Sequence, residues 1–372
     1  MTIVERLSEA TFRASARFEL KRLDQLTPAQ RQPFDELTRE AGFYGLLIPR
    51  PSSPATVKSI GGEIAALLHA LSVPSPLGAT TLDRDDVVDL VLDGVLEIEH
   101  EGDFISGADA MPLVCGESAA ATSGLSLEAL RYAQDLEVTG AGPLTSALYL
   151  YNRLPMTRFW TARFPNHEAV LSHLGANELN SHWQLMPPAQ ANGWIAFHAR
   201  DRRVYQAGAA VYKLYVSPRP ENIRDAFQAV VRTLAGRDVD FKIGPDAAGL
   251  LRPDKMVAYF GRREELEEIA HSLQARLAGC AAHGVPFTAV IDGDGLLSWG
   301  VDPPDSARAL SWLGRESWRL WLATKLGAAL AFAKSESSRG TTEPWRFAVE
   351  RVRRLGVDVE RWTPTDVLWS AT

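Results

Sequence analysis

VYKLYVSPRPENIRDAFQAVVRTLAGRDVDFKIGPDAAGLLRPDKMVAYF, Val211 to Phe260, decides the fold. A two-residue period in Tyr212–Ser217 puts Leu214 and Val216 on one strand face and Lys213, Tyr215 and Ser217 on the other. The same count sets Val239, Phe241 and Ile243 against Asp240 and Lys242, and Lys255, Val257 and Tyr259 against Met256, Ala258 and Phe260. With the apolar sides buried under helices, one open sheet face carries several cations and two phenols. Such a surface suits a dianion, for example a phosphorylated hydroxyl side chain.

The intervening segments predict those helices. After Pro220-Glu221-Asn222, the residues Ile223, Phe227, Val230, Val231 and Leu234 form one helical stripe, which Gly236 ends. A second stripe, Leu266, Ile269, Ala270, Leu273 and Leu277, follows the acidic first turn Glu264-Glu265. Pro286 to Ile291 reads as a last strand before the turn cluster Asp292-Gly293-Asp294-Gly295. The order is β-α-β-β-α-β, a split unit of the α+β class with both helices on one side of an antiparallel sheet.

Outward from this unit the chain divides near residue 120, into 1–118 and 119–372. Val4 to about Gly42 reads as helical, followed by a helix around Ile60 to Leu71 and another at Arg84 to Leu92 capped by Asp83. Leu96 to Ser106 reads as a hairpin. Three helices and a hairpin suggest a winged-helix-like unit, but Asp83, Asp85, Asp86, Asp89, Asp93, Glu97, Glu99 and Glu101 crowd it with the wrong charge for DNA. Peptide or partner docking is the functional reading of this unit, and a structural cap the plain one. Helical patterns dominate Ala119 to Trp194, and Trp318 to Phe332 carries an apolar stripe that seals a core. Arg346, Arg351, Arg353 and Arg354 form a basic patch, read as a solvated face or as a dock for an acidic partner.

Composition excludes several classes. The 372 residues, 46% of them hydrophobic, suffice for two ordinary domains. No apolar run approaches the ~20 residues that cross a bilayer, and the N-terminus does not read as a signal peptide, so a cytoplasmic address is expected. Two cysteines, far apart, suggest neither a disulfide framework nor zinc, and the eight histidines show no ligand spacing. A net charge of −7 argues against generic nucleic-acid binding. The Asp292 turn lacks the glutamate that closes a calcium loop, since Pro303 stands there, and no phosphate-loop kinase signature is present. No metal or cofactor is expected.

Between about Trp194 and Ala333, Lys213-Leu214-Tyr215, Phe241-Lys242, Arg252-Pro253-Asp254-Lys255-Met256-Val257-Ala258-Tyr259, Pro286-Phe287-Thr288, and Ser311-Trp312 through Arg319 stand as landmarks. On them the chain resembles the HopA-type effector family, known among type III effectors of plant-pathogenic pseudomonads and from actinobacterial peptide-natural-product gene clusters. A weaker likeness runs to the lyase domain of class III lanthionine synthetases and to bacterial phosphothreonine lyases. The resemblance implies β-elimination of phosphate from phosphoserine or phosphothreonine, giving dehydroalanine or dehydrobutyrine in a lanthipeptide- or thioamitide-like precursor.

It also implies roles. Removing an α-proton needs a strong yet unprotonated base, which a lysine supplies when desolvation or neighbouring cations lower its pKa. Lys242, by its place in the F-K strand, is the candidate base. Lys213, Arg252 and Lys255 are assigned to the departing phosphate, which needs charge-assisted donors. Where the phosphothreonine lyases carry an acid histidine, Tyr215 stands; with an unperturbed pKa near ~10 it is a ligand of phosphate or carbonyl sooner than an acid. The arginine of the lanthionine-synthetase R-Y-G pattern is missing at Ser298-Trp299-Gly300, leaving Arg315 or Arg319 as spatial substitutes. Tyr259 completes the candidate set, and His182 and His198 are read as structural or exposed. The implied partners are a phosphorylated precursor peptide, a separate Ser/Thr kinase, in a stable complex or not, and a following cyclase. The alternatives are a non-catalytic phosphopeptide-binding or kinase-partner scaffold, and a host-targeted effector acting by protein binding.

Overall fold

The computed structural model describes the whole chain except residues 1–6, 8, 40–41, 52–54, 79, 81, 117–121, 123, 201–209, 292, 308–315, 338, 341 and 371–372. It is a mixed α+β protein built on several antiparallel sheets. The N-terminal segment departs from the helical expectation. Thr11–Ala14 and Phe18–Arg22 are strands, because alternation of aromatic or aliphatic with polar residues puts Phe12, fully buried, opposite Ile98.

The hairpin Leu96–His100 and Asp103–Ile105 forms as expected, but its first strand pairs on the other side with Thr11–Ala14 inside a four-stranded sheet. It is not a free wing. The helix α1, Arg84–Leu92, starts at Asp83, whose carboxylate accepts from the Asp86 backbone N–H at 2.8 Å. Some of its acids, and Asp93 after it, are taken up within the chain. Arg351 and Arg354 bind Asp89 at 2.8 and 2.7 Å, Arg351 binds Asp93 at 2.6 Å, and Lys58 binds Asp93 at 2.9 Å. Glu97 is taken by Arg13 at 2.6 Å and Ser15 at 2.9 Å. Two sequence patches read as surfaces for a partner are thus, in part, each other's partner.

The large sheet has seven strands: β1 Trp183–Leu185, β2 Ile195–Ala199, β3 Tyr212–Val216, β4 Phe241–Ile243, β5 Met256–Phe260, β6 Ala289–Val290 and β7 Leu297–Val301. Their spatial order is β6-β7-β3-β5-β4-β2-β1, with every neighbouring pair antiparallel. The expected strand Pro286–Ile291 shrinks to the two residues of β6. Phe287 adopts φ +60°, and Thr288 Oγ1 turns back to the Val285 carbonyl at 2.7 Å, so Pro286-Phe287-Thr288 is a turn. The strand beside β3 is β7 instead.

One core packs beneath this sheet: Leu214, Val216, Phe241, Ile243, Met256, Ala258 and Phe260 meet Ile223, Phe227, Val230 and Leu234 of α3, Ile223–Leu234, and Leu266, Ile269 and Leu273 of α4, Arg263–Arg276. The other core takes residues from both ends of the chain, from Leu7 to Leu148 and from Trp318 to Leu368. It is organised by α2, Ala141–Leu150, α5, Trp318–Glu336, and α6, Pro344–Arg354. Helices α2 and α5 approach so closely that a Cβ on Gly327 would lie 2.5 Å from Thr145 Oγ1. That approach brings the end of α2 and the start of α5 over the polar side of the large sheet, which is therefore roofed and not open.

Candidate functional site

Strand register assembles the site. Lys213 of β3 lies opposite Tyr259 of β5, Tyr215 opposite Val257, and Lys242 of β4 opposite Val257 from the other side. The face away from α3 and α4 therefore carries both lysines and both tyrosines, as the two-residue period requires. Arg252 and Asp254 are brought back over β4 by a tight loop. A Cβ on Gly244 would meet the Gly249 carbonyl carbon at 2.3 Å, so only glycine lets the chain fold back on itself there. From outside the strands come Trp194, delivered by the left-handed pair Asn192 (φ +46°) and Gly193 (φ +75°), and Tyr149 at the end of α2. Tyr149, Trp194, Lys213, Tyr215, Lys242, Arg252, Asp254, Val257, Tyr259 and Ser317 line one cleft of about 120 Å³.

Its charges fall into two kinds, those tied to a carboxylate and one that is not. Lys213 Nζ donates to Asp302 Oδ1 at 2.6 Å, and the same oxygen accepts from the Trp318 backbone N–H at 3.1 Å. Arg252 forks onto Asp254 through Nε and Nη2, both at 2.9 Å, and Nη2 also donates to the Tyr149 hydroxyl at 2.9 Å. Arg319 Nη1 stands 2.8 Å from the second Asp254 oxygen, while its Nε and Nη2 donate to the carbonyls of Pro286 and Tyr149. Burial would push the Asp254 carboxyl up, but Arg319 and Arg252 outweigh it and hold the group at about 2.

Lys242 differs. Among the described residues it makes no ion pair; its ammonium lies 4.1 Å from the Trp194 ring centroid and 5.6 Å from that of Tyr259. Burial, with Lys213 and Arg252 adding to it, pushes its pKa down to about 8. Burial first, then Asp302, drives the Tyr215 phenol well above its ordinary value, and burial raises Tyr259 in the same direction. Both phenols therefore stay protonated as hydrogen-bond donors through neutral pH.

Lys213, Tyr215, Lys242, Arg252 and Tyr259 are thus brought together, with Arg319 buried just behind through Asp254. Lys255 is not. It shares their face, but four residues of strand, roughly 13 Å, separate it from Tyr259. Fully buried, its ammonium donates to His283 Nδ1 at 2.7 Å, while His283 Nε2 donates to the Asn152 carbonyl at 2.5 Å. Arg315, like Ser311 and Trp312, lies outside the described residues. His182 packs edge-on against Trp183, and neither it nor His198 lines the cleft. No group of three metal-ligating side chains occurs among the described residues, and no helix among them is long and apolar enough to cross a membrane.

The Lys255–His283 pair makes a prediction of its own. Burial takes Lys255 down to about 7, below the ~10.4 of an unfolded lysine. Between these values the unfolded chain binds the extra proton, so stability rises with pH across that window. Lys255→Met should flatten the rise in urea-unfolding free energy from about pH 7 to about pH 10 by on the order of 1–3 kcal/mol. An unchanged slope would mean that Lys255 does not titrate there.

Four residues of the site escaped the sequence reading. Asp254 sat inside the quoted landmark, where its acidity beside Arg252 and Lys255 was the available signal. Asp302, Tyr149 and Trp194 carried none, since only tertiary packing delivers them.

Among solved structures the chain is similar to the effector protein from Pseudomonas syringae pv. syringae strain 61, at 14% identity and a TM-score of 0.40, over 66% of this chain and 98% of that one. It is similar also to the effector protein from Pseudomonas syringae pv. tomato strain DC3000, at 12% identity and a TM-score of 0.39, over 64% of this chain and 95% of that one. No family model matches the sequence, and no curated protein matches it.

Proposed function

We propose that this chain eliminates phosphate from phosphoserine or phosphothreonine in a peptide, leaving dehydroalanine or dehydrobutyrine. The observation that carries the proposal is Lys242: a half-buried amine with no carboxylate partner among the described residues, pushed down to about 8 and set beside Lys213 and Arg252 in one cleft. In this reading the central strands β7-β3-β5-β4 with α3 and α4 are a split β-α-β-β-α-β unit whose polar side holds the chemistry.

The neutral Lys242 Nζ takes the α-proton, the C–H electron pair becomes the Cα=Cβ bond, and the Cβ–O bond breaks with its electrons on phosphate. Arg252 and Lys213 receive the dianion with donors left over from their bonds to Asp254 and Asp302. Tyr215 and Tyr259, protonated at working pH, donate hydrogen bonds to the phosphate or to the carbonyl next to the carbanion. Neither needs to surrender its proton, because the α-proton taken by Lys242 passes to the departing phosphate, directly or through water, so that the phosphomonoester dianion leaves as HPO4 2−, which the cationic cleft stabilises. The amine is then free again. Arg319 acts through Asp254 and is a positioning residue.

The chemistry implies its neighbours. A phosphate must first be installed, so a separate Ser/Thr kinase acts before this step. The dehydro residue is an electrophile, which a cyclase of a ribosomal peptide pathway would consume by adding a thiol. The N-terminal region remains a proposed docking unit for peptide or kinase.

Incubation with a phosphoserine or phosphothreonine peptide, followed by mass spectrometry, should show loss of phosphoric acid. Because the base must be unprotonated, the initial rate should climb about tenfold per pH unit below the Lys242 pKa and level off above about 8. A flat profile between about pH 6 and pH 9 would remove Lys242 as the base. The ion pairs already closing on Lys213 and Arg252 favour a second reading, a phosphopeptide-binding scaffold without turnover. Saturable phosphopeptide binding with no mass change would select it.

A further inference from the structure

On the opposite, helical side of the large sheet, α3 and α4 border a second cleft of about 620 Å³, lined by Gly175, Arg224, Asp225, Gln228, Arg232 and Arg276 besides Ala229. All three arginines are exposed, and none makes an ion pair among the described residues. In a chain of net charge −7, three guanidinium groups gathered around one concavity form a local positive field. Beside the cleft, burial first, then Arg163 and Arg224, lower the His173 pKa. Asp225 is the single acid of the lining.

We propose that this cleft is a docking site for an acidic peptide segment in extended conformation. Spacing and charge both point there. Arg224, Gln228 and Arg232 follow one another at i, i+4 and i+8 on α3, so the two arginines are about 12 Å apart along the axis. An extended chain advances roughly 13 Å per four residues, which places every second carboxylate of an alternating acidic segment close to that arginine spacing. Arg276 faces this row from α4. Gln228 Nε2 is held by the Leu174 carbonyl at 2.6 Å, which fixes the floor between the arginines. Nucleic acid fits less well, since no aromatic ring lines the cleft to stack a base.

The site is independent of the elimination reading and is tested without it. A fluorescein-labelled Glu-Ser-Glu-Ser-Glu peptide is titrated with the full chain and followed by anisotropy, against a Gln-Ser-Gln-Ser-Gln control and a single-stranded oligonucleotide of equal charge. The acidic peptide should bind saturably, weaken with salt, and lose roughly tenfold in affinity in an Arg224→Gln/Arg232→Gln/Arg276→Gln variant that melts like the parent. The three positions are exposed, and glutamine keeps the helices, so folding is not at stake. Absent binding, equal binding of the neutral control, or undiminished affinity in the variant overturns the proposal; tighter binding of the oligonucleotide reassigns the cleft to nucleic acid.

Discussion

Lys242→Ala is expected to leave phosphopeptide binding within a few fold while lowering the elimination rate by about 10³, a value inside the range that positioned general bases contribute. The separation of the two effects follows from the geometry. Arg252 and Lys213 are anchored by Asp254 and Asp302, not by Lys242, so removing the amine leaves the anion donors where they are. Below about pH 8, where Lys242 is protonated, its loss removes one cation near the anion and accounts for the few-fold weakening. Single-turnover mass spectrometry gives the rate and calorimetry the affinity. Parallel loss of both would show Lys242 to be a phosphate ligand first.

Asp254→Ala should have the largest effect on stability. Asp254 is buried and stands between two guanidinium groups, of which Arg319 is fully buried. Removing the carboxylate leaves those charges facing each other without a counter-ion, which typically costs about 3–5 kcal/mol. Urea unfolding at neutral pH measures the loss, and Asp254→Asn, which keeps the shape but not the charge, should recover only part of it. The same pair carries an acid signature. The folded Asp254 titrates at about 2, below its unfolded value near 3.8, so its contribution is fully present above about pH 4 and fades as pH falls toward 2. An Asp254→Ala protein whose unfolding free energy matched the parent would show that the two arginines do not depend on this carboxylate.

What the sequence made legible was parity. Lys213, Tyr215, Lys242 and Tyr259 could be placed on one face because a strand sends alternate side chains to opposite sides, whatever surrounds it. Parity says nothing of position along the strand, and Lys255 shows the consequence: right face, but turned to His283. Nor does it say what covers a face. The polar side was expected to be open, yet Tyr149 and Arg319 come from helices far away in the chain and close over it. At the N-terminus the period itself was misread, since Phe12 in a four-residue strand offers too short a run to separate alternation from a helical stripe. The acids of α1 could be counted, but their pairing with Arg351 and Arg354 spans most of the chain and leaves no local trace.

The ring of Trp194 beside Lys242 has a consequence for how this amine can cycle. Had a carboxylate stood there, each deprotonation would abandon a buried negative charge, and the cost would hold the proton in place. An indole face attracts the ammonium only modestly and, carrying no net charge, leaves no unpaired ion behind when the proton departs. The lysine is thereby held in position while remaining free to change its protonation state.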